Sequence, residues 1–396
     1  MRKKKKEMEA EFDTLVNREH TGNMKGSMSR ELGDQAVFLS GAEMDFPTAP
    51  CIRNALARFA KKGIYGYTLA DTPYLQAVCR WMEKVRQWEI APEEVVPTMG
   101  TIAGLCNAIR AYTDPGDGVI IQHPSYFRFD RAVMQTGRQV ISNPMGEENG
   151  VYSLDFTDLE AKMADPLNKM LILCNPHNPT GKVFCAADLQ RIAEMARKHD
   201  VIVFSDEIFA ETAAADKQVT AFGRLAPDCS LTSVSLGKAF NFTGVNQANV
   251  IIPDERLREV FLNQRSSDHF GSIDPFFYNG LLAAYTEEGY QWVQEMNAYI
   301  RKNYDHLKQA LEEKLPVLRL SPLEGTFVGW LDCRGLKMDD EKLQRFMEEK
   351  AFLYGDPGAE YGPGGEGFYR LNLAAPSYMI EKMIQNLITA VRQTLH

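Results

Sequence analysis

From about residue 95 to 252 the chain alternates short apolar runs with longer stretches of helical periodicity. The runs are Val95-Val96, Val119-Ile120-Ile121, Val140-Ile141, Met170-Leu171-Ile172-Leu173, Val201-Ile202-Val203-Phe204, Leu231-Thr232-Ser233-Val234 and Val250-Ile251-Ile252. Several are continuous and β-branched, the pattern of strands buried on both faces. Between them, Ala186, Leu189, Ile192, Ala193 and Ala196 recur at helical spacing over 186–199. Strand–helix alternation predicts an α/β fold with a mostly parallel seven-stranded sheet covered on both faces. After about residue 285 the pattern changes. It predicts a long helix over 292–315, a Gly-containing apolar segment over 324–331, a Gly- and Pro-rich loop at 355–367, and an amphipathic helix from Tyr378 to Leu395. Residues 1 to about 40 are polar and weakly patterned, as expected of an arm. The expected division is a large domain over 49–284 and a smaller α+β domain combining 1–48 with 285–396.

Of the 396 residues, 44% are hydrophobic and 24% charged, which excludes a disordered or collagen-like chain. The net charge of 44 − 53 = −9 argues against nucleic acid or an anionic membrane as partner. The seven cysteines are scattered, odd in number and without a C-x-x-C pair. That argues against a disulfide framework or a zinc site and for a reducing, cytoplasmic compartment. No apolar stretch reaches the roughly 18 residues of a membrane span. Arg2-Lys3-Lys4-Lys5-Lys6 is followed by acidic Glu7-Met8-Glu9-Ala10-Glu11. A solvated terminus is therefore expected, not a secretory signal.

Four features fall at strand ends or in loops, where α/β proteins place ligands. Gly100-Thr101-Ile102 opens a helical run and would offer backbone N–H groups and a positive dipole end to a phosphate. Asn175-Pro176-His177-Asn178-Pro179-Thr180-Gly181 is a rigid turn in which Asn178 could donate to a ligand oxygen. Ser205-Asp206-Glu207 ends a very apolar strand, where a carboxylate is costly unless paired or hydrogen-bonded. Ser235-Leu236-Gly237-Lys238 places a lysine just past a buried strand, a candidate amine of depressed pKa. Together with Tyr126 as an aromatic wall, these meet the needs of pyridoxal 5′-phosphate. That cofactor requires a Schiff-base lysine, a carboxylate at the pyridine nitrogen, a phosphate cup and a donor to the phenolic oxygen. His123, His177, His199 and His269 show no metal-ligand spacing and are expected in loops or at the surface. No metal site is expected. Gly362-Pro363-Gly364-Gly365-Glu366-Gly367 lacks the strand-then-helix context of a phosphate loop and is expected to be a flexible connection.

The ordered set Asn-Pro-x-Asn-Pro-Thr-Gly, Ser-Asp-Glu and Ser-x-x-Lys resembles fold-type I pyridoxal-phosphate enzymes of the class I/II aminotransferase superfamily. The likeness extends to Met44-Asp45-Phe46-Pro47-Thr48-Ala49-Pro50, Gly63-Ile64-Tyr65-Gly66-Tyr67-Thr68 and Tyr369-Arg370-Leu371-Asn372-Leu373. These flanks look most like the bacterial cystathionine β-lyase (C–S β-lyase) branch. The resemblance implies that Lys238 holds the cofactor and moves the Cα proton. Asp206 would keep the pyridine nitrogen protonated, and Asn178 would donate to the phenolic oxygen. Thr101 and Ile102 N–H with the Ser235 hydroxyl would hold the phosphate. It further implies that Arg370 clamps the substrate carboxylate, with Gly41 and Ala42 offering backbone N–H nearby. Tyr67 would reach the phosphate of a neighbouring subunit, which implies a homodimer. The implied reaction on a small amino acid is either β-elimination of a thiol, giving pyruvate and ammonia, or transamination. Three positions depart from the pattern. Phe209 stands where a Tyr is common. Asn246 stands where many aminotransferases carry an Arg. Ala375-Pro376-Ser377 replaces the Cys-Pro-Arg usual in the lyase branch.

Overall fold

The computed structural model describes residues 11–27, 33, 35–268 and 270–395. The seven apolar runs become the seven strands of one sheet. They are β1 (Val95–Thr98), β2 (Gly118–His123), β3 (Gln139–Pro144), β4 (Asn168–Cys174), β5 (Ile202–Asp206), β6 (Ser230–Val234) and β7 (Ala248–Ile251). Their spatial order is β1-β7-β6-β5-β4-β2-β3. Strands β6, β5, β4, β2 and β3 run parallel, while β7 is antiparallel to both of its neighbours. Alternate residues feed opposite faces. Ile120, Leu171, Leu173 and Val203 enter one core. Val119, Ile121, Met170, Ile172, Phe204 and Leu231 enter the other. This two-sided burial is why the strands read as continuous apolar runs.

Register puts Cys174 beside Asp206 and Asp206 beside Ser233. The carboxyl ends of β4, β5 and β6 therefore finish at one level. Helix α1 (Thr101–Tyr112) starts beside that edge, α2 (Ala186–His199) matches the helix expected there, and the short α3 (Leu236–Ala239) follows β6 directly.

The long helix α4 (Glu287–Lys314) begins before its expected start at Trp292. Thr286 caps it by accepting from the Gly289 N–H at 3.2 Å, and Glu287 and Glu288 suit the positive end. A second, antiparallel sheet follows, formed by β8 (Arg319–Leu320), β9 (Val328–Asp332), β10 (Asp356–Pro357) and β11 (Phe368–Asn372), in the order β8-β9-β11-β10. The closing helix α5 spans Ser377–Leu395.

One expectation is corrected. The Gly-rich segment 362–367 is not a loose connection. Gly362, at φ +80°, packs so closely on His123 that an added Cβ would lie 2.7 Å from the ring. The described part of the arm is also anchored: Phe12 is buried edge-on to Phe46 and Trp292, at 5.0 and 5.8 Å between centroids. Arg18 and Lys25 both reach Asp45, at 2.9 and 3.1 Å. The lysine run 3–6 lies outside the described residues. Among the described residues no helix is long and apolar enough to cross a membrane, and no acidic, His or Cys cluster could hold a metal.

Candidate active site

The site forms where β4, β5 and β6 end. Asp206 is the last residue of β5 and is buried. Its Oδ1 accepts from the Ile208 N–H at 3.2 Å. Burial pushes its carboxyl pKa up to about 7, with Lys238 opposing the rise and Glu207 adding to it. Lys238 sits in the single turn of α3, which Ser235 starts by accepting from the Gly237 N–H at 3.1 Å. Its Nζ donates to the Ala42 carbonyl at 2.6 Å and stands 5.4 Å from the centre of the Phe209 ring. Burial, and then the cation of Arg370, pull its pKa down to about 7. A lysine amine that is neutral for much of its time near pH 7 can act as nucleophile and base.

The loop 175–181 is pinned on both sides. The Asn175 N–H donates to the Asp206 carbonyl at 3.0 Å, and the Gly181 carbonyl accepts from the N–H groups of Glu324 and Gly325. Gly325 is required at this contact, because a Cβ would stand 2.6 Å from Pro176 Cβ. The loop thereby fixes Asn178, whose Oδ1 accepts from Arg370 Nη1 at 3.0 Å. That bond assigns the Asn178 amide nitrogen as the group left to donate into the cleft.

At the other end, Gly100 takes φ +85° and opens α1, whose first-turn N–H groups, those of Thr101 and Ile102 included, have no partner within the helix. The Ser233 hydroxyl donates to Thr101 Oγ1 at 3.1 Å, tying this turn to β6. The backbone of Asn246 lies against Gly100, so this residue does border the anion cradle. Tyr126 follows β2, packs on Phe127 and Phe129, and feels the charges of Arg370 and Asp206 from the same cleft. Arg370 lies on β11, buried, 5.1 Å from the ring of Tyr361. Its Nε and Nη2 donate to Asp356 Oδ2 at 3.0 and 2.6 Å.

The structure thus brings Lys238, Asp206, Asn178, Tyr126, Arg370 and the Gly100-Thr101-Ile102 turn around one cleft. The remaining expected residues are placed as follows. The single hydroxyl hydrogen of Ser235 goes to the Gln247 carbonyl at 2.8 Å and is already committed. The Gly41 N–H is committed to Asp356, and the Ala42 carbonyl accepts from Lys238. Tyr67 does not join the cluster within the chain; it is 100% exposed, beside exposed Ile64, Tyr65 and Leu69. His123 and His177 are buried, not superficial. His123 bonds Ser142 and Asp130, and His177 bonds Thr180. His199 pairs with Glu160, and His269 lies outside the described residues. Ser377 turns its hydroxyl to Asp13 of the arm at 2.6 Å. The residue that sequence reasoning missed is Asp356. Its partner Arg370 is directly opposite in the β10–β11 ladder, a pairing with no local pattern along the chain.

A half-buried lysine of lowered pKa, a carboxylate at a strand end and an anion cradle at a helix start define an enzyme site for a phosphorylated carbonyl cofactor. Residues 35–391 match the family model described as aminotransferase class I and II, and the chain belongs to that family. It is 35% identical over 366 residues to cystathionine beta-lyase PatB of Bacillus subtilis, spanning 91% of this chain and 94% of that one. It is 30% identical over 353 residues to the protein MalY of Escherichia coli, spanning 89% and 90%. The crystal structure of cystalysin from Treponema denticola, which contains pyridoxal 5′-phosphate, superposes with a TM-score of 0.93 at 33% identity, over 96% of this chain and 98% of that one. The fold is that of the fold-type I pyridoxal-phosphate enzymes.

Proposed function

We propose that this chain is a pyridoxal 5′-phosphate-dependent carbon–sulfur β-lyase acting on S-substituted L-cysteine amino acids such as L-cystathionine. The observation that carries the proposal is Lys238. Its amine, brought to a pKa of about 7, shares one cleft with Asp206 and Arg370. The residues fit the cofactor. One Asp206 oxygen is held by Ile208, which leaves the other to face a pyridine nitrogen, and the α1 N-terminus suits a dianionic phosphate. Asn178 is oriented to donate to a phenolic oxygen, and Tyr126 offers a ring face.

When bound, the cofactor supplies an electron sink for negative charge developing at the substrate Cα. The chain does the rest. Arg370 would take the α-carboxylate through a planar, bidentate pair that fixes the orientation of the substrate. Lys238, as the free amine, would remove the Cα proton. A thiolate leaves Cβ, and with one water the products are thiol, pyruvate and ammonia. Asp206 holds positive charge at the ring nitrogen through the step. We further infer a homodimer in which Tyr67, exposed with Ile64 and Leu69, reaches the partner's phosphate. Seven free cysteines support a cytoplasmic location. The two sheets support a division into 49–284 and 1–48 with 285–396.

The test is thiol release from an S-alkyl-L-cysteine by the cofactor-loaded protein, followed with a thiol reagent and no keto acid added. Release is expected, and Lys238→Ala should abolish it. Unchanged release in Lys238→Ala would overturn the assignment of the base.

A further inference from the structure

Asp356 is a carboxylate inside the substrate cleft, and the reaction as derived gives it no task. Its bonds are specific. A guanidinium has five N–H groups. On Arg370, Nε–H and one Nη2–H go to Asp356 Oδ2, and one Nη1–H goes to Asn178 Oδ1. Three of the five are thereby used. Asp356 occupies the Nε–Nη2 edge of the fork, which leaves the outer, Nη1–Nη2 edge as the one that can grip a carboxylate with both arms. Asp356 is itself held from a second segment. Its Oδ1 accepts from Ser40 Oγ at 2.6 Å, and its two oxygens accept from the Gly41 N–H at 3.3 and 3.1 Å. The next carbonyl along that segment, at Ala42, accepts from Lys238 Nζ at 2.6 Å.

We propose that Asp356 is a positioning residue for substrate recognition. It turns Arg370 so that only the outer edge faces the ligand, and it ties that edge, through Gly41 and Ala42, to the amine of Lys238. The distance between the bound carboxylate and the base is then set by one short chain of contacts. A plain structural ion pair would affect every ligand alike. A positioning residue affects only ligands that carry the α-carboxylate. The proposal rests on reading Arg370 as the carboxylate clamp, and its test reads binding, so it stands apart from the lyase assignment.

The experiment compares L-alanine with ethylamine, the same amine without its carboxylate, titrated by cofactor absorbance into the loaded wild type, Asp356→Ala and the near-isosteric Asp356→Asn. Both variants are expected to weaken L-alanine by about tenfold or more, the scale of a misaligned charged bidentate pair, and to leave ethylamine within about twofold. Equal weakening of both ligands, or unchanged L-alanine binding, would overturn the proposal. If wild type itself fails to prefer L-alanine, the clamp reading falls together with the proposal. Asp356→Asn keeps the volume and an acceptor oxygen, so the comparison survives a poorly folding alanine variant.

Discussion

Behind Asp206 lies a buried ion pair whose removal has a calculable consequence. Glu207, fully buried, pairs with Arg86, whose side chain is also buried. Its other oxygen accepts from the Ser205 hydroxyl at 2.9 Å and the Phe222 N–H at 2.8 Å. Glu211, held by Trp81 Nε1 at 3.2 Å, feels the same arginine. In Arg86→Met the cation goes and Glu207 stays behind, fully buried. Breaking one side of such a pair costs about 3–5 kcal/mol, because the surviving charge is uncompensated. Glu207→Gln leaves the arginine stranded at a similar cost. The double variant removes both charges, and Gln still accepts from Ser205 and Phe222. Its residual cost is an orphaned amide, about 1–3 kcal/mol. Urea unfolding of all four proteins at saturating cofactor therefore predicts a favourable coupling of at least about 2 kcal/mol. Additive losses, with a coupling under about 0.5 kcal/mol, would refute the reasoning. Arg86→Met should also weaken cofactor binding, because the uncompensated Glu207 raises the Asp206 pKa further.

Three shorter predictions follow. Phe209 faces Lys238 but has no donor, so Phe209→Tyr adds an O–H on the lysine's side of the cleft, where it would meet the cofactor's phenolic oxygen on the reading proposed above. The pH midpoint of cofactor absorbance should drop by about one pH unit, and equal midpoints in the two proteins would count against this placement. Burial holds His177 down at a pKa of about 4 against 6.5 for the free side chain. Between those values the unfolded chain binds a proton that the native state refuses, so stability falls as pH drops through this window, by about 3 kcal/mol in all. His177→Gln should flatten that acid limb in urea midpoints measured at neutral and acid pH; an unchanged limb would show that other groups cause it. Gly325→Ala forces a Cβ onto Pro176 and should cost about 1–3 kcal/mol while loosening the cofactor. An unaffected cofactor affinity would mean that the loop 175–181 does not depend on this contact.

Much of the frame was legible because it depends on local patterns. The inner strands of the large sheet are apolar runs buried on both faces, while the edge strand β3 is largely half-buried or exposed, and the chemistry sits where the inner runs stop, at Asp206, Asn178 and Lys238. The groups that escaped notice are those whose partners are distant in sequence. Phe12 is one aromatic residue in a polar arm, and a single anchor produces no periodicity. Asp356 is defined by the strand opposite it. His123 looks like a surface residue until Ser142 and Asp130 are seen to satisfy its ring nitrogens, and His177, although in the loop 175–181, is buried with its Nδ1 on Thr180. Ser235 and Gly41 lie beside the cleft. Sequence could not show that their hydrogens were already given to Gln247 and Asp356.

The most direct test of the central claim is the amount of pyruvate formed per active site from L-cystathionine by the cofactor-loaded protein, with no keto acid present. The account predicts sustained release, many equivalents per site, accompanied by equal amounts of homocysteine and ammonia. Less than one equivalent, with the cofactor converted once to its amine form, would contradict β-elimination and mark the chain as an aminotransferase.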